Sequence, residues 1–133
     1  KAMGVLFGWL KDAGVTPAGP VFFKYDVIDM SGLCEIEFAV PVAERVAAPD
    51  HLVADVLPAG RYAELAWTGP YDALFEVNAV LAGWAAHKGL RWDARGSPEG
   101  DRFAARLEIY ERGPSDGVSA NEFVTTVAIK VTD

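Results

Sequence analysis

The sequence holds a single cysteine, Cys34, and two histidines, His51 and His87. One thiol excludes an internal disulfide framework and a cysteine-based metal site, and it fits a reducing, cytoplasmic setting. The histidines stand far apart with no second ligand at metal spacing, so no metal site is assigned. No stretch approaches the roughly 18 uninterrupted apolar residues of a membrane span, and no basic-then-apolar leader opens the chain. Positive charge is also scarce. Twelve Lys and Arg stand against 19 Asp and Glu, a net charge of −7, and none of the basic residues cluster. Phosphate backbones need a basic footprint, so direct nucleic-acid binding by this chain is not expected. The Gly-x-Gly-x-x-Gly fingerprint, the phosphate loop and the Gly-x-Ser-x-Gly elbow are absent too, and no cofactor is implied.

What remains is ordinary globular material: 133 residues, 51% hydrophobic and 23% charged, the size of one domain with a real core. Met3, Leu6, Phe7 and Leu10 have helical spacing, with Lys11 in the last turn and Gly14 at the cap. "VFFKYD" and "CEIEFAVPV" read as strands, joined by turn residues Asp29 to Gly32. After a loop around Pro49 and Asp50, "RYAELAW" reads as a strand, preceded by a shorter one or by a bend at Pro58-Ala59-Gly60. "TGPY" starts a helix, Pro70 suiting its first turn, with a buried stripe of Leu74, Val77, Leu81 and Trp84 and an end at Gly89. "RGSPEGD" reads as a loop, and "RFAARLEIY" and "EFVTTVAIKV" as the last two strands.

The two halves rhyme. "LFGWLKDAG" matches "LAGWAAHKG", placing Trp9 and Trp84 each five residues before a closing glycine. These blocks predict an α+β fold of duplicated strand–helix–strand–strand units, repeat 1 over about residues 1–48 and repeat 2 over about 51–133. The second unit has a strand ahead of its helix and the first has none, so a first strand is expected to be missing from this chain.

The block "LPAGRYAELAWTGPYDAL", residues 57–74, followed in order by "RLEIYERGP" and "NEFVTTVAIKV", resembles the GyrI-like small-molecule-binding domain. The resemblance covers nearly the whole chain. It implies two such units related by a pseudo-twofold axis, antiparallel sheets and a ligand cleft between the units. It further implies an effector-binding role like that in AraC-type and MerR-type bacterial transcription regulators, with an attached DNA-binding region or as a free-standing protein or homodimer.

One residue asks for an explanation. Glu108 sits in the apolar, aromatic strand "RLEIYE". Alternation puts Ala105, Leu107 and Ile109 on one face, expected to lie against the helices, and Arg106, Glu108 and Tyr110 on the other. Matching the strand to "FKYD" sets Phe23 against Glu108 and Tyr25 against Tyr110. One concave surface would then carry aromatics from both halves and one carboxylate, which suits flat hydrophobic cations. The family's drug-binding regulators carry a pocket glutamate on this strand. The resemblance therefore names Glu108 as the leading site residue, and the residue pattern offers Tyr110, Phe23, Tyr25, Trp67 and Trp92 as candidate walls. The alternatives are half-buried sheet positions for the tyrosines and closure of the core for Trp92. The competing reading of the residues is a solvated edge glutamate paired with Arg106. If the cleft is catalytic, the resemblance points to hydrolysis of reactive cyclopropane-bearing natural products, with Glu108 as the acid or base. Tyr71 suits a structural turn, Trp9 and Trp84 helix–sheet packing, Cys34 apolar packing, and Glu35 with Glu37 a solvated strand face.

Overall fold

Runs of aromatic and β-branched residues alternate with two glycine-ended helical segments, and each run becomes a strand. The computed structural model describes residues 2–29, 31–32 and 34–132. In order, these form α1 (Ala2–Ala13), β1 (Phe22–Ile28), β2 (Cys34–Ala39), β3 (Tyr62–Thr68), α2 (Leu74–His87), β4 (Ala94–Ser97), β5 (Gly100–Phe103), β6 (Arg106–Arg112) and β7 (Val124–Lys130). A short 3-10 turn, Tyr71–Ala73, follows Pro70 and leads into α2. Met30, within the expected turn, lies outside the described residues. Beside it the Asp29 carboxylate accepts bonds from the Ser31 amide at 3.0 Å and hydroxyl at 2.7 Å, the expected turn chemistry.

The strands form one open antiparallel sheet of seven, not separate sheets. Its order runs β3, β7, β6, β1, β5, β4, and β2 pairs the other edge of β1. β5 and β6 follow each other along one side of β1, where the expected single strand "RFAARLEIY" breaks at residues 104–105. The expected loop "RGSPEGD" is instead the tight turn of the β4–β5 hairpin, with Ser97 opposite Gly100. Gly100 has φ +130°, and a Cβ there would stand 2.6 Å from the Ile28 carbonyl oxygen, so only glycine lets the hairpin close on β1.

Both faces of the sheet bury apolar groups. On one, Val127 and Ile129 of β7 and Ala63 of β3 pack with Leu74, Val77 and Leu81 of α2. Register places Arg106, Glu108 and Tyr110 on this same face, opposite Ile129, Val127 and Thr125. α1 meets the same face through Phe7, whose ring centroid is 6.3 Å from that of Phe38. On the opposite face Leu107 clusters with Phe22 and Ala128, and Ile109 packs beside them. The expected assignment is therefore reversed: Glu108 and Tyr110 face the helices, and Leu107 and Ile109 face away. Trp84 is a second correction. It is 47% exposed, and Ala85 completes the buried stripe of α2. Cys34, expected to pack, is exposed.

The halves share local geometry. Gly14 and Gly89 both take the left-handed conformation, with φ of 71° and 72°. The amides that follow bond back alike, Val15 to the Leu10 carbonyl and Leu90 to that of Ala85, each at 2.9 Å. Leu10 and Ala85 are both buried. β1 and β6 carry matching bulges, one residue past Tyr25 and one past Tyr110. The β1–β6 register pairs Phe23 with Glu108, Phe22 with Ile109 and Lys24 with Leu107.

Candidate functional site

The bulges matter because each inserts one residue, which bends the strand and shifts its alternation by one position beyond that point. Phe23, Tyr25 and, past the bulge, Ile28 stay on the helix face of β1. Glu108 and Tyr110 do so on β6. Between this central pair of strands and α2 lies a cleft of about 440 Å³, with Tyr25, Arg106 and Glu108 on its sheet side and Asn78, Ala79 and Ala82 on its helix side. Phe75 stands at its mouth, 85% exposed. The small side chains of Ala79 and Ala82 leave the room that larger helix residues would fill.

Glu108 is the hub. Its Oε1 accepts hydrogen bonds from the Tyr110 hydroxyl at 2.8 Å and the Tyr25 hydroxyl at 3.1 Å. Its Oε2 has one long contact, from the Asn78 amide at 3.5 Å. That same Asn78 amide nitrogen donates to the Leu74 carbonyl at 2.9 Å, while its Oδ1 accepts from Arg106 at 3.1 Å. Burial first, and then the Glu108 charge and hydrogen bonds, raise both phenols far above their ordinary value. They are held as neutral donors. Burial lowers the Arg106 guanidinium, with the Glu108 charge opposing that shift. Arg106 does not pair directly with Glu108, as the solvated-edge reading supposed; Asn78 stands between them.

Behind the carboxylate runs a chain of rings. Phe38 packs edge-on to Phe23 at 5.7 Å, Phe23 to Tyr110 at 5.3 Å, and Tyr110 to Tyr71 at 5.5 Å. Tyr71 stacks on Phe123 at 4.9 Å. Gly113 leaves space for the Tyr71 hydroxyl, which a Cβ there would meet at 2.7 Å. These contacts fix Tyr110, and through it Glu108.

Of the candidates read from sequence, the fold brings together Glu108, Tyr110, Tyr25 and Phe23. Trp67 and Trp92 go elsewhere. Both pack against the core beneath α2. Trp67 is fixed there by its indole bond to the Pro70 carbonyl at 3.0 Å, and Trp92 by a β-bridge to Val131. Asn78 and Arg106 were missed as site residues. Asn78 did leave a signal: a poor helix former at mid-helix between apolar residues needs a reason to be there. A second hollow of about 460 Å³ touches Asp26, Glu35 and Asp93. Each of those acids already has a basic partner, Lys24, Arg102 and Lys130 respectively.

Two comparisons bear on identity. No curated protein matches the chain. The family model of the GyrI-like small molecule binding domain matches residues 1–132. With that match spanning the chain and a cleft built around a tyrosine-held glutamate, the protein belongs to the GyrI-like small-molecule-binding family.

Proposed function

We propose that the cleft captures flat, hydrophobic, positively charged aromatic molecules, multidrug fashion, as the effector-sensing part of a bacterial transcription regulator or as a free-standing cytoplasmic binder. One observation carries this reading. A carboxylate lies on the cleft's sheet side with one oxygen held by two phenols and the other nearly free. A cation stacked over the neighbouring rings would satisfy that second oxygen, and a neutral apolar guest would strand it. The family supports a small ligand of some kind; the charge preference rests on Glu108. Titrating a cationic rhodamine ester against the wild type and Glu108→Gln tests it. A charged hydrogen bond is worth roughly 1.5–3 kcal/mol, so the variant should bind about one to two decades more weakly. Equal affinities would overturn the reading.

The matched helix caps, the matched bulges and the self-consistent β1–β6 register support the duplicated architecture. Exchanging the halves carries the pair Phe22–Ile109 onto Leu107–Lys24 and leaves Phe23–Glu108 in place. On this reading the pseudo-twofold passes between Phe23 and Glu108. Tyr25 and Tyr110 are then equivalents, each two residues on, reaching the one carboxylate from opposite sides.

Hydrolysis of strained cyclopropane substrates is the second reading, favoured by the two neutral phenols beside a carboxylate. The water oxygen would bond to one cyclopropane carbon as a ring C–C bond breaks, with Glu108 taking the water proton and a phenol protonating the departing carbon. Glu108 would then return its proton to the phenolate it contacts. Turnover that survives Glu108→Gln would remove this mechanism.

A further inference from the structure

Two residues before Glu108, on the same face of β6, Arg106 brings the opposite charge into the cleft. Among the described residues its guanidinium has one hydrogen-bond acceptor, the Asn78 Oδ1 at 3.1 Å, and its carbon lies 4.9 Å above the Phe103 ring centre. No described carboxylate lies within ion-pair distance of it, although five other contacts of that kind occur among the described residues. A part-buried guanidinium with most of its N–H groups unused is costly unless something fills them. Asn78 does so in part. Its carbonyl faces the cation and its amide faces the anion, so one small dipole spans the two charges.

A ligand that placed an acceptor near Arg106 and a donor near Glu108 would extend that arrangement. Residues two apart on a strand are separated by roughly 6.6–6.8 Å, about the width of an aromatic ring system with its substituents. We propose that Arg106 is a ligand-binding residue and that the preferred guests are aromatic zwitterions, carrying a carboxylate for Arg106 as well as a cationic group for Glu108. This rests on the binding function proposed above and narrows it. A site with Glu108 alone would favour pure cations. Glu108 together with Arg106 is balanced, and it distinguishes an acid from its ester.

The test uses one rhodamine as its zwitterionic free acid and as its cationic methyl ester, titrated by fluorescence against the whole chain. The wild type is expected to bind the free acid at least as tightly as the ester, although a net charge of −7 disfavours an added carboxylate. Arg106→Gln should weaken the free acid by about ten- to a hundredfold and leave the ester unchanged or tighter. Arg106→Lys should recover part of the free-acid binding, and near-ultraviolet circular dichroism checks that each variant is folded. Equal loss of both dyes in Arg106→Gln, or no loss of either, would overturn the proposal, reducing Arg106 to a prop for Asn78. A wild type that takes the ester at least tenfold more tightly would overturn it as well. In all three cases a Glu108-dependent ester signal leaves the binding function standing. If neither dye binds the wild type, both readings fall.

Discussion

Among the described residues, every hydrogen bond to the Glu108 carboxylate comes from a neutral donor: two phenols and one amide. The phenols carry a pH consequence. Their ordinary value is 10.0, and burial followed by the Glu108 charge raises both in the folded protein. The folded state therefore holds these protons more tightly than the unfolded chain. The stability they contribute is whole below pH 10 and is lost as the pH rises through the folded values. Denaturant midpoints measured between about pH 9 and pH 11 should fall less steeply in Tyr110→Phe than in the wild type. Parallel slopes would mean that the phenol is not coupled to folding. At this scale the sequence was half legible. Alternation correctly grouped Arg106, Glu108 and Tyr110, because strand geometry fixes which residues share a face. It could not say which face meets the helices, because Leu107 and Ile109 on one side look as burial-prone as Val127 and Ile129 on the other. Asn78 was out of reach because its partners are 28 and 30 positions away.

At the scale of elements, α2 shows how a helix can pack and also wall a cleft. Leu74, Val77, Leu81 and Ala85 form its buried line, while Ala79 and Ala82 turn small side chains to the cleft. Trp84 misses the buried line by one position, roughly 100° around the helix. Leu81→Ala should cost about 2–5 kcal/mol by urea unfolding, because Leu81 is 2% exposed. Trp84→Ser should cost well under half of that. Similar losses would mean that the outer face of α2 is covered. The helix ends were legible because Gly14 and Gly89 carry their own conformational reason. The β4–β5 hairpin was hidden because Ser97-Pro98-Glu99-Gly100 reads as loop chemistry whether or not the residues around it pair.

At the scale of the molecule, the α+β class followed from the rhyming helix blocks and strand-like runs, and antiparallel pairing from the family resemblance. The single seven-stranded sheet did not, since which strands become neighbours across the halves is a tertiary outcome. The surface charge makes its own statement. With net −7 and no basic cluster, this chain alone should leave duplex DNA unshifted in a gel at low salt. Tight, salt-sensitive binding would contradict that. A regulator built on this domain would need its DNA contacts from another region.

The position of β2 has a consequence for the behaviour of concentrated solutions. Among the described residues it pairs only with β1, so its other edge offers unfilled backbone donors and acceptors. Its residues Cys34 to Glu37 are exposed, including Ile36 at 47%. Such an edge invites edge-to-edge aggregation unless charge discourages it. Glu35 and Glu37 supply that repulsion, which gives the two acids a colloidal role. Asp26, hydrogen-bonded beside it, holds the Glu37 carboxyl above the usual range, so mild acid strips this guard early. The double variant Glu35→Gln, Glu37→Gln should show concentration-dependent light scattering at neutral pH while the wild type stays clear. Matching scattering from the two would mean that something other than these two carboxylates keeps neighbouring copies apart.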